Sequence, residues 1–467
     1  MAKYHSTLSR REFLKALGIG GAGVAAAAVA PPVYRDLDEM MASPTAIMKR
    51  PSWVKEVEKP TVEIDWDIMK RFTDFEVMWA GGFAKAVGRE RVDQAMKASA
   101  ANAARWRAEG KPGYTLADTA FNAGTWEAPL SYIGPCTSRT PEDLDIPRWE
   151  GTPEQNARLV TTFLRMHGAY HVGFAELDTN TTEKMINLYD AGRSRGAGVG
   201  PEVRIIDADQ PEEKLGEGGI GGYRILPKKA RWVIIYSLRM SPELTLRAPS
   251  HIASRQHGYM YDLRSIVQGQ LQNFMRTLGY MCLGDTVKTA AMGQVVGFMV
   301  MSGMGESCRT MHAITPEFGV MQRPFIGITD LPLPPGKPID IGVMKFCRTC
   351  KKCAEYCPAK AIPMDTEPTW EVKGPYNRPG VKTWYRDEPA CREYMYHAGS
   401  CAICIAVCPF SRLKNASYTN MWQSTVAKTS AFNRTIRRMN DLLGYNPRVG
   451  DDIENIWNLD LPPFGWT

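Results

Sequence analysis

The sequence has no run of about 18 apolar residues, so it holds no ordinary membrane-spanning helix. It also lacks a strong charge of one sign. Lys plus Arg exceeds Asp plus Glu by 57 − 50 = 7 over 467 residues, too little for a dedicated nucleic-acid binder. Histidine is scarce, at seven. No cysteine directly precedes one, which excludes c-type haem attachment. Low-complexity composition is missing as well. Hydrophobic residues make up 44% and charged residues 23%, the balance of a folded chain with two or three packed units.

Part of the positive charge sits at the start. The first thirty residues hold Lys3, Arg10, Arg11 and Lys15 against Glu12, a net of +3, which leaves about +4 for the rest. Ser9-Arg10-Arg11-Glu12-Phe13-Leu14-Lys15, followed by an Ala/Gly-rich stretch to Ala30, resembles a twin-arginine export signal. That route carries folded proteins and suits one that acquires a cofactor before export. Gly18 to Gly23 and Gly216 to Gly221 both fit G-x-G-x-x-G. The first has no strand before it and no βαβ unit after it, and the second is equally weak and reads as a loop. Neither is taken as a dinucleotide site.

The rest divides by composition into residues 43–150, 151–330, 331–415 and 416–467, after an export segment 1–42. Trp53, Trp66, Trp79, Trp106, Trp126 and Trp149 fall in or near the first unit, as core packing or as a wall around an apolar ligand. Thr152-Pro153-Glu154-Gln155 predicts a helix start. His171–Leu177 and Arg231–Leu238 read as strands. Apolar residues from Leu263 to Leu278 follow one helix face, with Gly279 placed to end it, and a further helix is expected over Val287–Met301. This alternation predicts an α/β core. Residues 331–340 form a proline-rich connector.

Eight of the eleven cysteines lie between 347 and 408. Cys347-x2-Cys350-x2-Cys353-x3-Cys357-Pro358 is the spacing of a bacterial ferredoxin. Cys401-x2-Cys404-x3-Cys408-Pro409 is the second set, with Ala398 where its first cysteine belongs and Cys391 upstream as the substitute. A cubane cluster needs one thiolate on each of four irons, and the cysteine before proline serves the other cluster. Cys347, Cys350, Cys353 and Cys408 are therefore assigned to one [4Fe–4S] cluster. Cys391, Cys401, Cys404 and Cys357 are assigned to the second. Disulfides and zinc fit this ladder poorly. Lys345, Arg348, Lys351, Lys352 and Lys360 surround the first set, either to favour the reduced cluster or as a solvated surface. Cys136, Cys282 and Cys308 read as small buried hydrophobes.

A ferredoxin needs far less chain than this. The order is export signal, α/β core, Gly303-Met304-Gly305-Glu306, Ile328-Thr329-Asp330-Leu331-Pro332-Leu333, Lys337-Pro338-Ile339-Asp340 and the two cysteine sets. Over essentially the whole chain it resembles the catalytic subunit of respiratory reductive dehalogenases. The resemblance implies a nitroreductase-like corrinoid-binding core joined to a ferredoxin-like two-cluster domain. It implies removal of halogen from an apolar organohalide as a terminal step of respiration. It also implies a base-off corrinoid, which agrees with the absence of Asp two residues before any histidine. By position, Tyr261 matches the family's proton donor, with Tyr259 as rival, and Arg323 matches its basic partner. A cation beside a phenol stabilises the phenolate and makes a better acid. The asparagine that assists in some members has no counterpart in Cys282-Leu283-Gly284-Asp285-Thr286.

The same resemblance implies a small integral membrane anchor protein, a membrane electron donor and a peripheral place on the outer face of the cytoplasmic membrane. It implies no nucleic-acid partner, and it leaves homo-oligomer formation open. Two rival readings stand beside it: an epoxyqueuosine reductase-like enzyme acting on transfer RNA, and a non-catalytic exported electron-transfer protein. Stoichiometric corrinoid and absence of RNA binding would separate them.

Overall fold

The computed structural model describes residues 50–463 apart from 74–75, 77, 79–81, 116–129, 191–198, 218–219, 287–290, 412–416 and 443–445. The export segment, Trp79 and Trp126 lie outside the described residues.

Strands Ala169–Glu176, Trp232–Arg239, Gln322–Thr329 and Cys282–Leu283 form one sheet in that order. Every pairing in it is antiparallel, so the helix–strand alternation builds a mixed α/β fold on an antiparallel sheet. Trp232–Arg239 is covered on both faces, which explains its unbroken apolar centre. Side chains alternate across a strand. Ile234, Tyr236 and Leu238 therefore enter one core, and Val233 and Ile235 another.

Two helices cover the first face. Pro153–Met166 starts at a capping box: Thr152 Oγ1 accepts from Gln155 N at 3.3 Å, and Gln155 Oε1 accepts from Thr152 N at 2.8 Å. His251–Leu278 is longer than its periodicity suggests. Its first turns are polar, and it begins where Ser250 caps Ala253 N at 3.2 Å. It ends at Gly279, whose φ of 88° is the left-handed conformation open to glycine. On the other face the expected helix Val287–Met301 is only Val295–Met301 among the described residues. Tertiary pairing takes the backbone before it: Asn187 N donates to Met292 O at 2.7 Å and Gln294 N to Met185 O at 2.9 Å.

The cysteine-rich unit shares the first core. Phe346, Ile403, Ala406, Val407 and Phe410 pack in the same cluster as Ile234 and Leu271. The proline-rich connector joins it through buried Leu331, Leu333 and Ile339, and Ile339–Asp340 pairs antiparallel with Lys55–Glu56. The two units are also tied at buried Glu306. Its carboxylate accepts from Thr61 Oγ1 (2.6 Å), Ile341 N (2.8 Å), Val343 N (3.1 Å) and Met344 N (3.1 Å). The last two are orphan donors at the start of helix Val343–Cys350. Helix Arg89–Ala108 packs on helix Glu388–Ala398, where Arg91 pairs with Glu393 at 2.8 Å. No helix among the described residues is long and apolar enough to cross a membrane.

Candidate active site and cluster centres

Helix Val343–Cys350 carries Cys347 and Cys350, and the short helix Lys352–Glu355 carries Cys353. Between them Lys351 takes a left-handed φ of 53°. This breaks the helical path and turns Cys353 back toward the first two. Cys353 lies in the electrostatic field of Cys347, Cys350, Cys408 and, more weakly, Cys404. Cys404 feels Cys401, Cys391 and Cys357, and Cys391 feels Cys357. Most of these couplings run within the two sets of four expected from the spacing, each including the cysteine before proline of the other motif, while Cys353 with Cys404 links the two sets. Burial pushes Cys401 and Cys408 up to about 12 and Cys347 and Cys353 well above the usual thiol range. Buried thiols resist ionising until a metal replaces the proton.

The remaining cysteines divide. Cys282 and Cys308 are buried, as expected, but Cys136 is exposed, so it is no core residue. Cys308 stands near Cys347 and Cys408. The basic residues around the first set are mostly tied locally. Arg348 pairs with Glu367 at 2.9 Å, and Lys351 donates to Thr366 Oγ1 at 2.8 Å. Lys352 is fully buried, against Asn440 Oδ1 (2.6 Å) and Asp441 (2.9 Å).

Arginines that the sequence reading missed also stand among the cysteines: Arg437, which donates to Cys350 O at 3.1 Å, and two others. Arg309 follows Cys308 and donates twice to Cys347 O, at 2.9 and 3.3 Å. Arg386 pairs with Glu388 at 2.7 Å. It lies in the field of Cys391 and Cys404, just before the helix that carries Cys391. No spacing rule marks any of them, because each reaches its place through the fold.

A cavity of about 160 Å³ opens beside the sheet. Tyr261 lines it from the long helix and Arg323 from the sheet. The Arg323 guanidinium carbon lies 5.3 Å from the Tyr261 ring centroid. Phe325 meets the Tyr261 ring edge-on at 6.1 Å. Tyr259 is not among the lining residues. It lies on another side of the helix, with Arg255 5.5 Å from its ring, and burial pushes its phenol up.

None of the described tryptophans lines this cavity. Trp53 and Trp66 serve the two cores, Trp106 packs on Tyr114 at 4.5 Å, and Trp149 donates to Asn156 Oδ1 at 2.8 Å.

Arg264, Asp285, His312 and Gln322 also line the cavity. Asp285, in the segment without the expected asparagine, forms a buried ion pair with Arg264. His312 has its Nδ1 3.0 Å from Thr310 Oγ1. Burial, with the nearby Arg386 and Arg323 cations, holds His312 down at about 3. His257, outside the lining, is likewise held at about 3 by burial and Arg323. Both imidazoles are neutral at physiological pH.

Residues 49–333 match the reductive dehalogenase subunit family, and residues 346–411 match a 4Fe-4S double cluster binding domain. The chain is 29% identical to the chloroethene reductive dehalogenase of Dehalococcoides mccartyi strain VS, over 100% of this chain and 99% of that one. It is 28% identical to the trichloroethene reductive dehalogenase of another strain of that species, over 98% of each. It is 30% identical to the tetrachloroethene reductive dehalogenase of Sulfurospirillum multivorans, over 67% of this chain and 61% of that one. Among solved structures, the catabolic reductive dehalogenase NpRdhA superposes with a TM-score of 0.56 at 19% identity, over 84% of this chain. A reductive dehalogenase structure bearing on B12-dependent dehalogenation superposes with the same TM-score at 17% identity, over 84% of this chain. The chain spans about half the length of those two solved chains, 48% and 49%, and at such identities they show the shared fold. The chain belongs to the reductive dehalogenase subunit family, oxidoreductases acting on carbon–halogen bonds, and carries a 4Fe-4S double cluster domain.

Proposed function

We propose that this protein replaces halogen by hydrogen on a small organohalide as the terminal step of a respiratory chain. Electrons pass through two [4Fe–4S] clusters, held by the eight cysteines grouped above, to a base-off corrinoid in a nitroreductase-like core. The net reaction takes up two electrons and one proton, breaks the carbon–halogen bond, forms a carbon–hydrogen bond and releases halide. The observation that carries this reading is Tyr261 in the cavity with Arg323 against its ring.

The cavity holds only a small substrate, but its lining offers groups that would face a corrinoid lying against it. Gln322 Oε1 and Arg323 Nε are buried there without a hydrogen-bond partner, beside apolar Val295, Val296 and Met299. The amide fringe of such a macrocycle would supply partners for both. When bound, the corrinoid supplies a low-valent cobalt able to reduce the carbon–halogen bond.

The chain's own groups handle the proton. Tyr261 holds it on its phenolic oxygen, and Arg323 stabilises the tyrosinate left behind. Neutral His312 is a poor donor near pH 7, and Asp285 is engaged with Arg264. Phe325, Val295 and Met299 give the cavity apolar walls that limit water. A volume near 160 Å³ suits one small ring or haloalkene. Tyr261→Phe tests the reading. Iron and cobalt contents should stay normal while halide release with a reduced low-potential dye collapses. Full activity would place the proton donor elsewhere.

Export by the twin-arginine route, attachment to the outer face of the cytoplasmic membrane through a small integral anchor, and a membrane electron donor belong to the same proposal. They are supported by the Ser9 to Lys15 motif and by the need to load cofactors before export. Fractionation with and without an intact Arg10-Arg11 pair tests them.

A further inference from the structure

Among the described residues four arginines are almost wholly buried: Arg224, Arg247, Arg264 and Arg309. Burying a guanidinium without an opposite charge is expensive, so such groups are normally paired. Three of them are. Arg224 meets Asp190 and Glu213, Arg247 meets Glu243 at 2.9 Å, and Arg264 meets Asp285.

Arg309 is the exception among the described residues. It is 1% exposed, and its hydrogen bonds go to backbone carbonyls alone. These are Cys347 O at 2.9 and 3.3 Å, Pro363 O at 2.6 Å and Asp365 O at 2.8 Å. One face of the guanidinium lies 4.3 Å from the centroid of buried Trp384. Carbonyls satisfy its N–H groups but do not cancel its charge. The groups facing it that can become negative are first the thiols of Cys347, Cys353 and Cys350 and then the Asp365 carboxylate, which is exposed to solvent and so offsets a buried charge weakly. The other cations near Cys350 are already offset: Lys352 pairs with Asp441, and Arg437 pairs with Asp441 and Glu355. At the second thiol group, Arg386 is offset by Glu388.

We propose that Arg309 is the fixed countercharge of the first cluster, the one held by Cys347, Cys350, Cys353 and Cys408. It is a positioning residue rather than a catalytic one. The assembled cluster with four thiolates is an anion, and each added electron makes it more negative. A cation clamped in low dielectric beside it favours the reduced state and raises its reduction potential. The carbonyl bonds keep the charge from swinging to solvent, and the Trp384 ring seals its outer face. The inference rests on the cluster-ligand assignment made above.

The experiment is an EPR-monitored redox titration of the anaerobically prepared full chain, with iron content measured on the same samples. Wild-type protein should show about eight irons and two cluster signals; about four would refute the ligand assignment without bearing on Arg309. In Arg309→Gln, which keeps a donor but loses the charge, the first cluster's midpoint should move to lower potential while the second stays put. Arg309→Lys should return it toward the wild-type value. Should Arg309→Gln fail to hold the first cluster, full iron and wild-type midpoints in Arg309→Lys would still support the charge role. Unchanged midpoints in an eight-iron Arg309→Gln protein, or an equal shift in both variants, would reduce Arg309 to a structural clamp and overturn the proposal.

Discussion

The guanidinium carbon of Arg323 lies 5.3 Å from the centre of the Tyr261 ring, although the two residues belong to different elements, one on the sheet and one on the long helix. Both face one cavity. If Arg323 stabilises the tyrosinate, Arg323→Met should lower turnover by about 100-fold or more, the usual scale of general-acid contributions. Arg323→Lys should keep a larger share. Halide release under saturating dye, set against cobalt and iron content, measures this. Equal activity in both variants would remove the role.

Cys404 is assigned to the second cluster, with Cys391, Cys401 and Cys357. Cys404→Ala should remove one cluster, so iron should fall from about eight to about four per chain and one EPR signal should vanish. An unchanged iron count would mean that Cys404 is not a ligand.

Glu306 collects four hydrogen bonds from the two halves of the molecule. Glu306→Ala would leave three buried backbone N–H groups and the half-buried Thr61 hydroxyl without their acceptor, at a cost of about 2–4 kcal/mol. Its unfolding midpoint in urea should drop clearly. Glu306→Gln, which keeps an acceptor, should lose less. Equal stability of all three proteins would show that solvent replaces the carboxylate.

His257 and His312 predict a direction with pH. Both are held at about 3, mainly by burial and with help from the Arg323 charge, against about 6.5 when unfolded. Between these values the unfolded chain binds more protons, so stability is present above about pH 6.5 and is lost as pH falls toward 3. Thermal midpoints at pH 7.5 and 5.5 should differ accordingly. His257→Gln should flatten the difference. A flat wild-type profile would mean that these imidazoles titrate normally.

Local features were readable because they depend on near neighbours. The capping box at Thr152, the end of the long helix at Gly279 and the central apolar strand all follow from side-chain spacing over a few residues. Val295–Met301 was overestimated because backbone pairing with Met185 and Asn187 comes from elsewhere in the chain. Cys136 was misjudged because burial depends on what packs over a residue, and nothing nearby in sequence records that.

The sequence alone determined the cluster chemistry, since two-residue gaps between cysteines and the prolines after Cys357 and Cys408 are covalent facts that constrain where thiolates point. Composition also decided that no ordinary membrane helix is present. Tertiary structure decided which charges meet. Arg309 against Cys347, Arg264 against Asp285 and Arg323 against Tyr261 are contacts between residues up to 62 positions apart in the chain. The physical reason is that electrostatic energy depends on distance and burial, and both are properties of the folded chain rather than of its order.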